Sequence, residues 1–158
     1  MLVSIFSFAQ TSAEGYFDRG VSKYELQDYR GAIQDYSKAI ELDPSFASAY
    51  INRGTAKWAL QDNIGAIQDY NKAIELDPSY TDAYDNRGMA KYELQDYRGA
   101  IQDFSKAIEL DPSYANAYNN RGLAKYFLND IDGACLDWSK AGELGDYDAY
   151  DIIKEYCN

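Results

Sequence analysis

Cys135 and Cys157 are the two side chains of this sequence that are best equipped for covalent chemistry. A thiolate can act as a nucleophile, as a metal ligand or as half of a disulfide. The sequence has no histidine, which removes the usual general base and the usual activator of a catalytic cysteine. Two cysteines alone are also too few for a zinc site. We therefore expect no enzyme, no metal site and no cofactor.

The charge of the chain narrows the choice of partners. Its 158 residues include 15 Lys and Arg against 26 Asp and Glu, a net charge of -11. Nucleic-acid affinity comes largely from basic side chains that release counterions. A surface this acidic therefore disfavours nucleic acid and anionic membranes as partners. No stretch approaches the roughly 18 apolar residues of a membrane-spanning helix. We expect neither nucleic-acid binding nor membrane insertion.

Residues 1–12 form an apolar segment unlike the remainder of the chain. Leu2 to Phe8 is similar to the end of the hydrophobic region of a secretory signal, and Ser7 and Ala9 are small residues at the positions that a signal peptidase reads. A cut before Gln10 predicts an exported protein, periplasmic or extracellular; otherwise the protein would be cytoplasmic. The alternative is a retained apolar arm that docks on its own chain or on a second copy. In the second case the protein would be a homo-oligomer.

From Ala13 onward the sequence repeats with a period of 34 residues. Each copy opens on an aromatic residue, and a glycine follows four positions later at Gly20, Gly54, Gly88 and Gly122. A second aromatic stands further along each copy, at Tyr36, Tyr70, Phe104 and Trp138. The first three copies close on proline, at Pro44, Pro78 and Pro112. Apolar residues inside each copy recur with helical spacing over two stretches, which in the second copy are roughly Ser48–Gln61 and Ile64–Leu76.

This pattern resembles the tetratricopeptide repeat (TPR) family over about nine-tenths of the chain. The resemblance implies an all-α fold, a right-handed superhelical α-solenoid of four helix-turn-helix repeats with a C-terminal capping helix. The repeats would span residues 13–46, 47–80, 81–114 and 115–148, and the cap residues 149–158. One hairpin cannot bury its own apolar face, so neighbouring hairpins must stack.

Single residues of the second repeat support two helices. Asp62 is a good N-cap for the second helix, and Pro78 stops it. Gly54 lies inside the first helix, where glycine costs about 1 kcal/mol relative to alanine. We therefore expect it to permit a close approach of the second helix, which carries Ala66.

Charged residues also recur in every copy. Where the family usually has leucine before the glycine, this chain has Arg19, Arg53, Arg87 and Arg121. Lysines follow one turn later at Lys23, Lys57, Lys91 and Lys125, and the second helices carry Asp35, Asp69, Asp103 and Asp137. A half-buried arginine needs a partner, so we expect each one to pair with an aspartate of a packed second helix. The alternative is a basic ladder for an acidic ligand.

In this family the first helix of each repeat lines the concave surface, so the resemblance assigns candidate peptide-binding residues. They are Phe17, Tyr24, Ile51, Asn52, Thr55, Trp58, Asn86, Met89, Tyr92, Asn120, Leu123 and Tyr126. Asparagine amides can donate to and accept from an extended main chain, and aromatic rings are rigid apolar anchors. The alternative is that the rings only shield the floor of the groove.

One subgroup of the family grips the terminal carboxylates of heat-shock chaperones with lysines and an arginine in the groove. Three of the corresponding positions hold Phe17, Asp82 and Asn86 here, so these cations are missing. We do not expect this chain to bind chaperone tails.

The end of the chain is expected to form the capping helix, over Asp146–Tyr156, with Tyr150, Ile153 and Cys157 on one face. Cys135 lies early in the preceding helix, on which the cap should pack. In an exported protein the two cysteines could form a disulfide. Two buried thiols are the alternative.

These observations favour a non-catalytic scaffold that binds a peptide or a partner protein in the concave groove. The alternative is a structural protein that assembles into an oligomer or filament through its apolar arm and its solenoid surfaces.

Overall fold

The computed structural model describes residues 11–157, which are helical apart from short turns. Residues 1–10, where the signal or arm was predicted, and Asn158 lie outside the described part. The helices of residues 11–157 are α1 (Ala13–Glu25), α2 (Tyr29–Leu42), α3 (Ala47–Ala59), α4 (Asn63–Leu76), α5 (Thr81–Glu93), α6 (Tyr97–Leu110), α7 (Ala115–Phe127), α8 (Ile131–Glu143) and α9 (Asp148–Tyr156). None of these helices is long and apolar enough to cross a membrane. The all-α prediction is confirmed.

The chain divides into two compact units, one ending at Pro78 and the other beginning at Ser79. The first unit contains the hairpins α1–α2 and α3–α4. The second contains the hairpins α5–α6 and α7–α8 and the final helix α9, which packs on α8. Paired helix-turn-helix repeats with a capping helix were predicted, and this prediction is confirmed.

The same kind of turn connects the two helices of each hairpin. After α1, Gln27 adopts a left-handed φ of 61°, and the N–H groups of Gln27 and Asp28 donate to the carbonyls of Tyr24 and Lys23. These bonds satisfy carbonyls that the end of a helix leaves without partners. The carboxylate of Asp28 then accepts from the N–H of Gly31 and caps α2. Equivalent caps start the other second helices, including the predicted cap of Asp62, which accepts from Gly65 at 2.9 Å.

Gly54 lies where the two helices of its hairpin approach most closely. A Cβ atom on Gly54 would lie 2.8 Å from Cε1 of Tyr70, whose side chain is fully buried. The predicted close approach is confirmed, but the group that requires it is the ring of Tyr70 and not Ala66. The same contact recurs between Gly20 and Tyr36, Gly88 and Phe104, and Gly122 and Trp138.

The last helix begins at Asp148, two residues later than the sequence predicted. Ala149 is fully buried, and Ile152 and Ile153 pack against the cluster around Trp138. Cys135 and Cys157 are joined by a disulfide, with their Cα atoms 5.8 Å apart. The bond therefore ties α9 to α8.

We expect reduction of this disulfide to lower the free energy of unfolding by about 3 kcal/mol, because the bond closes a loop with a sequence separation of 22 residues. Urea unfolding with and without reductant measures the change. The matched control is the double variant Cys135→Ser/Cys157→Ser, on which reductant should have no effect. Two alkylatable thiols in the untreated protein, found by intact mass, would contradict the bond.

Candidate functional site

In each repeat the recurring charged residues form an ion-pair triad around a buried aspartate. In the second repeat, the Nε and Nη2 atoms of Arg53 donate to Asp69 at 2.9 and 2.6 Å, and the Nζ atom of Lys57 lies 2.7 Å from the same carboxylate. The side chain of Asp69 is 5% exposed. The predicted pairing of arginine with an aspartate of the second helix is confirmed in all four repeats.

Each triad arginine also lies over a tyrosine ring of its own helix. The guanidinium carbon of Arg53 is 5.5 Å from the ring centroid of Tyr50, and that of Arg19 is 4.8 Å from Tyr16. In the first repeat, the hydrogen bonds from Arg19 hold the pKa of Asp35 below its ordinary value. These cations are committed to intramolecular partners, which disfavours a basic ladder for an acidic ligand.

The first unit contains a pocket of about 170 Å³ over the buried Tyr36. It is lined by Val21, Tyr24, Glu25, Tyr36, Asn52 and Thr55. Three of these residues, Tyr24, Asn52 and Thr55, were predicted from the sequence. The Oγ1 atom of Thr55 lies 3.2 Å from the hydroxyl of Tyr70.

The hydroxyl of Tyr36 in this pocket stays protonated near neutral pH. Burial raises the pKa of Tyr36 to about 12, and a hydrogen bond with Asn52 opposes part of this rise. The pocket therefore combines phenolic hydroxyls, one amide and the carboxylate of Glu25, and it has no cationic lining residue.

The second unit contains a larger pocket of about 450 Å³. It is lined by Tyr92, Leu123, Tyr126, Phe127, Trp138, Ile152, Glu155 and Tyr156. Tyr92, Leu123 and Tyr126 were predicted from the sequence, and the other five were not. Three of the missed residues lie on α9, which was regarded only as a cap.

Aromatic rings dominate this second pocket. Phe127 stacks on Tyr97 at 5.1 Å and meets the edge of Tyr92 at 5.7 Å. Tyr126 meets Tyr156 of α9 at 5.0 Å in a T-shaped contact. Phe127 is 53% exposed, so part of the cluster remains accessible. The sequence contained a signal for this cluster, because Phe127 stands where the first and third repeats have glutamate.

Several predicted peptide-binding residues pack inward. Ile51 was assigned to the binding surface, but it is only 6% exposed and so presents little surface to a ligand. Phe17 occupies the equivalent position in the first repeat, and its ring lies 4.9 Å from that of Phe46, just before α3. This position therefore points towards the start of the next repeat rather than into a groove. Met89 packs against the cluster around Phe104.

Not all of the predicted asparagines are free to bind a peptide. The Nδ2 atom of Asn120 donates to the buried Asp85 at 3.2 Å. Trp58 and Asn86 line neither of the two pockets described above. The Nε1 atom of Trp58 is buried without a hydrogen-bond partner in the described part of the chain. The ladder of asparagines is therefore not a uniform set of free groups.

Residues 11–157 contain no cluster of His, Cys, Asp and Glu side chains that could hold a metal ion. The described side chains of the two pockets offer aromatic rings, hydroxyls, an amide and carboxylates to a ligand.

Comparison with known proteins agrees with this architecture. A family model described as TPR repeat matches residues 20–61, 59–95 and 88–129. A crystal structure of MamA is 26% identical, with a TM-score of 0.83, over 93% of this chain and 86% of that chain. The first TPR of Spaghetti (RPAP3), solved with the HSP90 peptide SRMEEVD, is 30% identical, with a TM-score of 0.74, over 77% of this chain and 95% of that chain.

The TPR domain of Arabidopsis OM64 is 28% identical, with a TM-score of 0.72, over 75% of this chain and 98% of that domain. A comparison with curated protein sequences gave no match. The matched segments of the family model together span well over half of the sequence. The structure agrees with that match, since each repeat has paired helices and a glycine–aromatic contact. The chain belongs to the tetratricopeptide repeat family.

Proposed function

We propose that this protein is a non-catalytic scaffold that binds an extended peptide segment of a partner protein on the first helices of its repeats. The observation that carries this proposal is the presence, in each unit, of a pocket to which first helices contribute at least half of the lining residues. Both pockets include the aromatic residue at the twelfth position of a repeat, Tyr24 in one unit and Tyr92 and Tyr126 in the other.

The pockets have the chemistry of an interface anchor. Aromatic side chains bury a large area with little loss of conformational entropy, and they dominate the energetics of many interfaces. In the first pocket, Asn52 and Thr55 add polar groups that can orient a main chain. The solved complex of the Spaghetti TPR with a peptide supports peptide binding as the general mode.

The test begins with peptides selected by the full chain from an unbiased random library, whose dissociation constants are then measured by fluorescence anisotropy. We expect Tyr126→Ala to weaken binding of the selected peptides at least about tenfold, because it removes a ring from the centre of the second pocket. The matched control is Ile64→Ala, which removes a 65% exposed apolar side chain outside both pockets and should leave affinity unchanged.

Chemical-shift mapping on the unmodified protein provides a second measurement that does not depend on the folding of a variant. Bound peptide should shift the resonances of the residues in the pocket that it occupies, Tyr24 and Asn52 in the first unit or Tyr92 and Tyr126 in the second. Failure to select any peptide would contradict the scaffold function, and shifts confined to the second helices would contradict the assignment of the surface.

A further inference from the structure

We infer that the two pockets select a basic peptide, one that inserts arginine or lysine side chains flanked by apolar residues. This inference rests on the proposed function and names the ligand chemistry of the same surface. Three observations support it: the residues that line the pockets, the ion pairs that the chain's own Lys and Arg side chains already form, and the arginine–tyrosine–aspartate contacts inside the repeats.

Each pocket has one charged lining residue, and in both it is a glutamate. Glu25 borders the first pocket beside Tyr24 and Tyr36, and Glu155 borders the second beside Tyr126 and Tyr156. A hydrogen bond with Glu155 raises the pKa of Tyr156, which places that carboxylate at the edge of the ring. The faces of aromatic rings attract cations, and an adjacent carboxylate strengthens this attraction.

Within residues 11–157, the Lys and Arg side chains are engaged away from these two carboxylates. Thirteen of its 15 Lys and Arg side chains form ion pairs elsewhere. The other two, Arg30 and Arg98, lie in the first turns of α2 and α6 and line neither pocket. With a net charge of -11, the protein also attracts a basic partner at long range.

The protein itself shows how such a pocket would hold a guanidinium group. Arg53 lies over the ring of Tyr50 while its nitrogens donate to Asp69, and this combination of ring and carboxylate occurs in every repeat. The two pockets offer the same combination with no arginine of the chain inside. The apolar wall of the second pocket, with Leu123 and Ile152, suits the methylene stem of an arginine or lysine.

The decisive probes are the peptides selected from the random library and their matched derivatives. We expect the selected sequences to be enriched in Arg and Lys relative to the library. Replacement of one arginine by citrulline, which keeps the shape and removes the charge, should weaken binding about tenfold. Added salt should weaken binding of the arginine peptide more than binding of the citrulline peptide, which has one positive charge fewer.

On the protein side, Glu155→Gln should weaken the arginine peptide about threefold and leave the citrulline peptide unchanged. The control Glu109→Gln removes the same charge from an exposed position of α6, outside both pockets, and should have no effect on either peptide. Circular dichroism confirms that both variants keep their helices. The acidic peptide SRMEEVD should not bind measurably.

The outcomes separate the inference from the proposed function. Peptides that map to the pockets but show no basic enrichment, or that bind equally well as citrulline derivatives, would overturn the inference and leave the scaffold function standing. Binding of SRMEEVD as tightly as the arginine peptides would also overturn it. Selection of no peptide at all would overturn both.

Discussion

Asp69→Ala is expected to lower the free energy of unfolding by about 3–5 kcal/mol, because it leaves two cations without their shared anion inside the protein. The side chains of Arg53 and Lys57 are 18% and 20% exposed, so water replaces the lost carboxylate only partly. Arg53 retains a hydrogen bond to the hydroxyl of Ser37 and the ring of Tyr50. Urea unfolding followed by circular dichroism measures the change.

Two further variants make this test specific. Glu75→Ala removes an exposed pair with Lys72 on the same helix and should change the free energy of unfolding by less than about 0.5 kcal/mol. Asp35→Ala breaks the triad of the first repeat and should cost less than Asp69→Ala, because the side chain of Arg19 is 45% exposed. Equal costs for Asp69→Ala and Glu75→Ala would show that the triads contribute no more than surface pairs.

Asp85→Asn is expected to stabilise the protein near neutral pH by up to about 3 kcal/mol. Asp85 is 7% exposed, and burial raises its pKa to about 6. The cost of ionising it follows from this shift at about 1.4 kcal/mol per unit of pKa. The replacement amide keeps an oxygen that can accept the hydrogen bond from Asn120.

The pH dependence of this effect has a definite sign. Between about pH 4 and pH 6 the folded chain holds a proton on Asp85 that the unfolded chain has lost, so stability from this group falls as the pH rises. Above that range both states are ionised and the loss is complete. The difference in the free energy of unfolding between Asp85→Asn and the unmodified protein should therefore be near zero below pH 4 and reach its maximum above pH 6.

Urea unfolding at a series of pH values checks this difference, with Glu109→Gln as the control for loss of an exposed carboxylate. Two other groups bear on Asp85 besides Asn120: Asp82, one turn away, raises its pKa slightly, and Tyr114 is itself held protonated by burial and by these carboxylates. A carboxyl pKa for Asp85 near its ordinary value, measured by NMR titration, would contradict the prediction.

The paired helices and the arginine–aspartate ion pairs could be predicted from the sequence. Each depends on spacing within one hairpin: Asp62 caps the helix that follows it, and Arg53 and Asp69 lie on facing helices of the same repeat. A contact within one repeat can be predicted without knowing how the neighbouring repeats pack. Gly54 was read correctly as a point of close approach, but its partner, the ring of Tyr70, was not identified.

The candidate site was predicted only in part, because its accessibility depends on what packs beside each residue. Ile51 was assigned to the binding surface from the sequence, but it is buried, as is Asp85 at the equivalent position of the third repeat. Glu155 and Tyr156 belong to no repeat, so no periodic argument could bring them to the second pocket.

The amino-acid sequence by itself determined the helices, their pairing and the charge of this protein, since caps, helical periodicity and ion pairs within a hairpin are interactions of short range. Only the tertiary structure decided which rings remain open to a ligand and which carboxylate stands beside them. The physical reason is that the exposure of a side chain depends on the elements packed beside it. A residue covered by a neighbouring ring belongs to the core, whereas a residue beside the space that α9 leaves open lines a pocket.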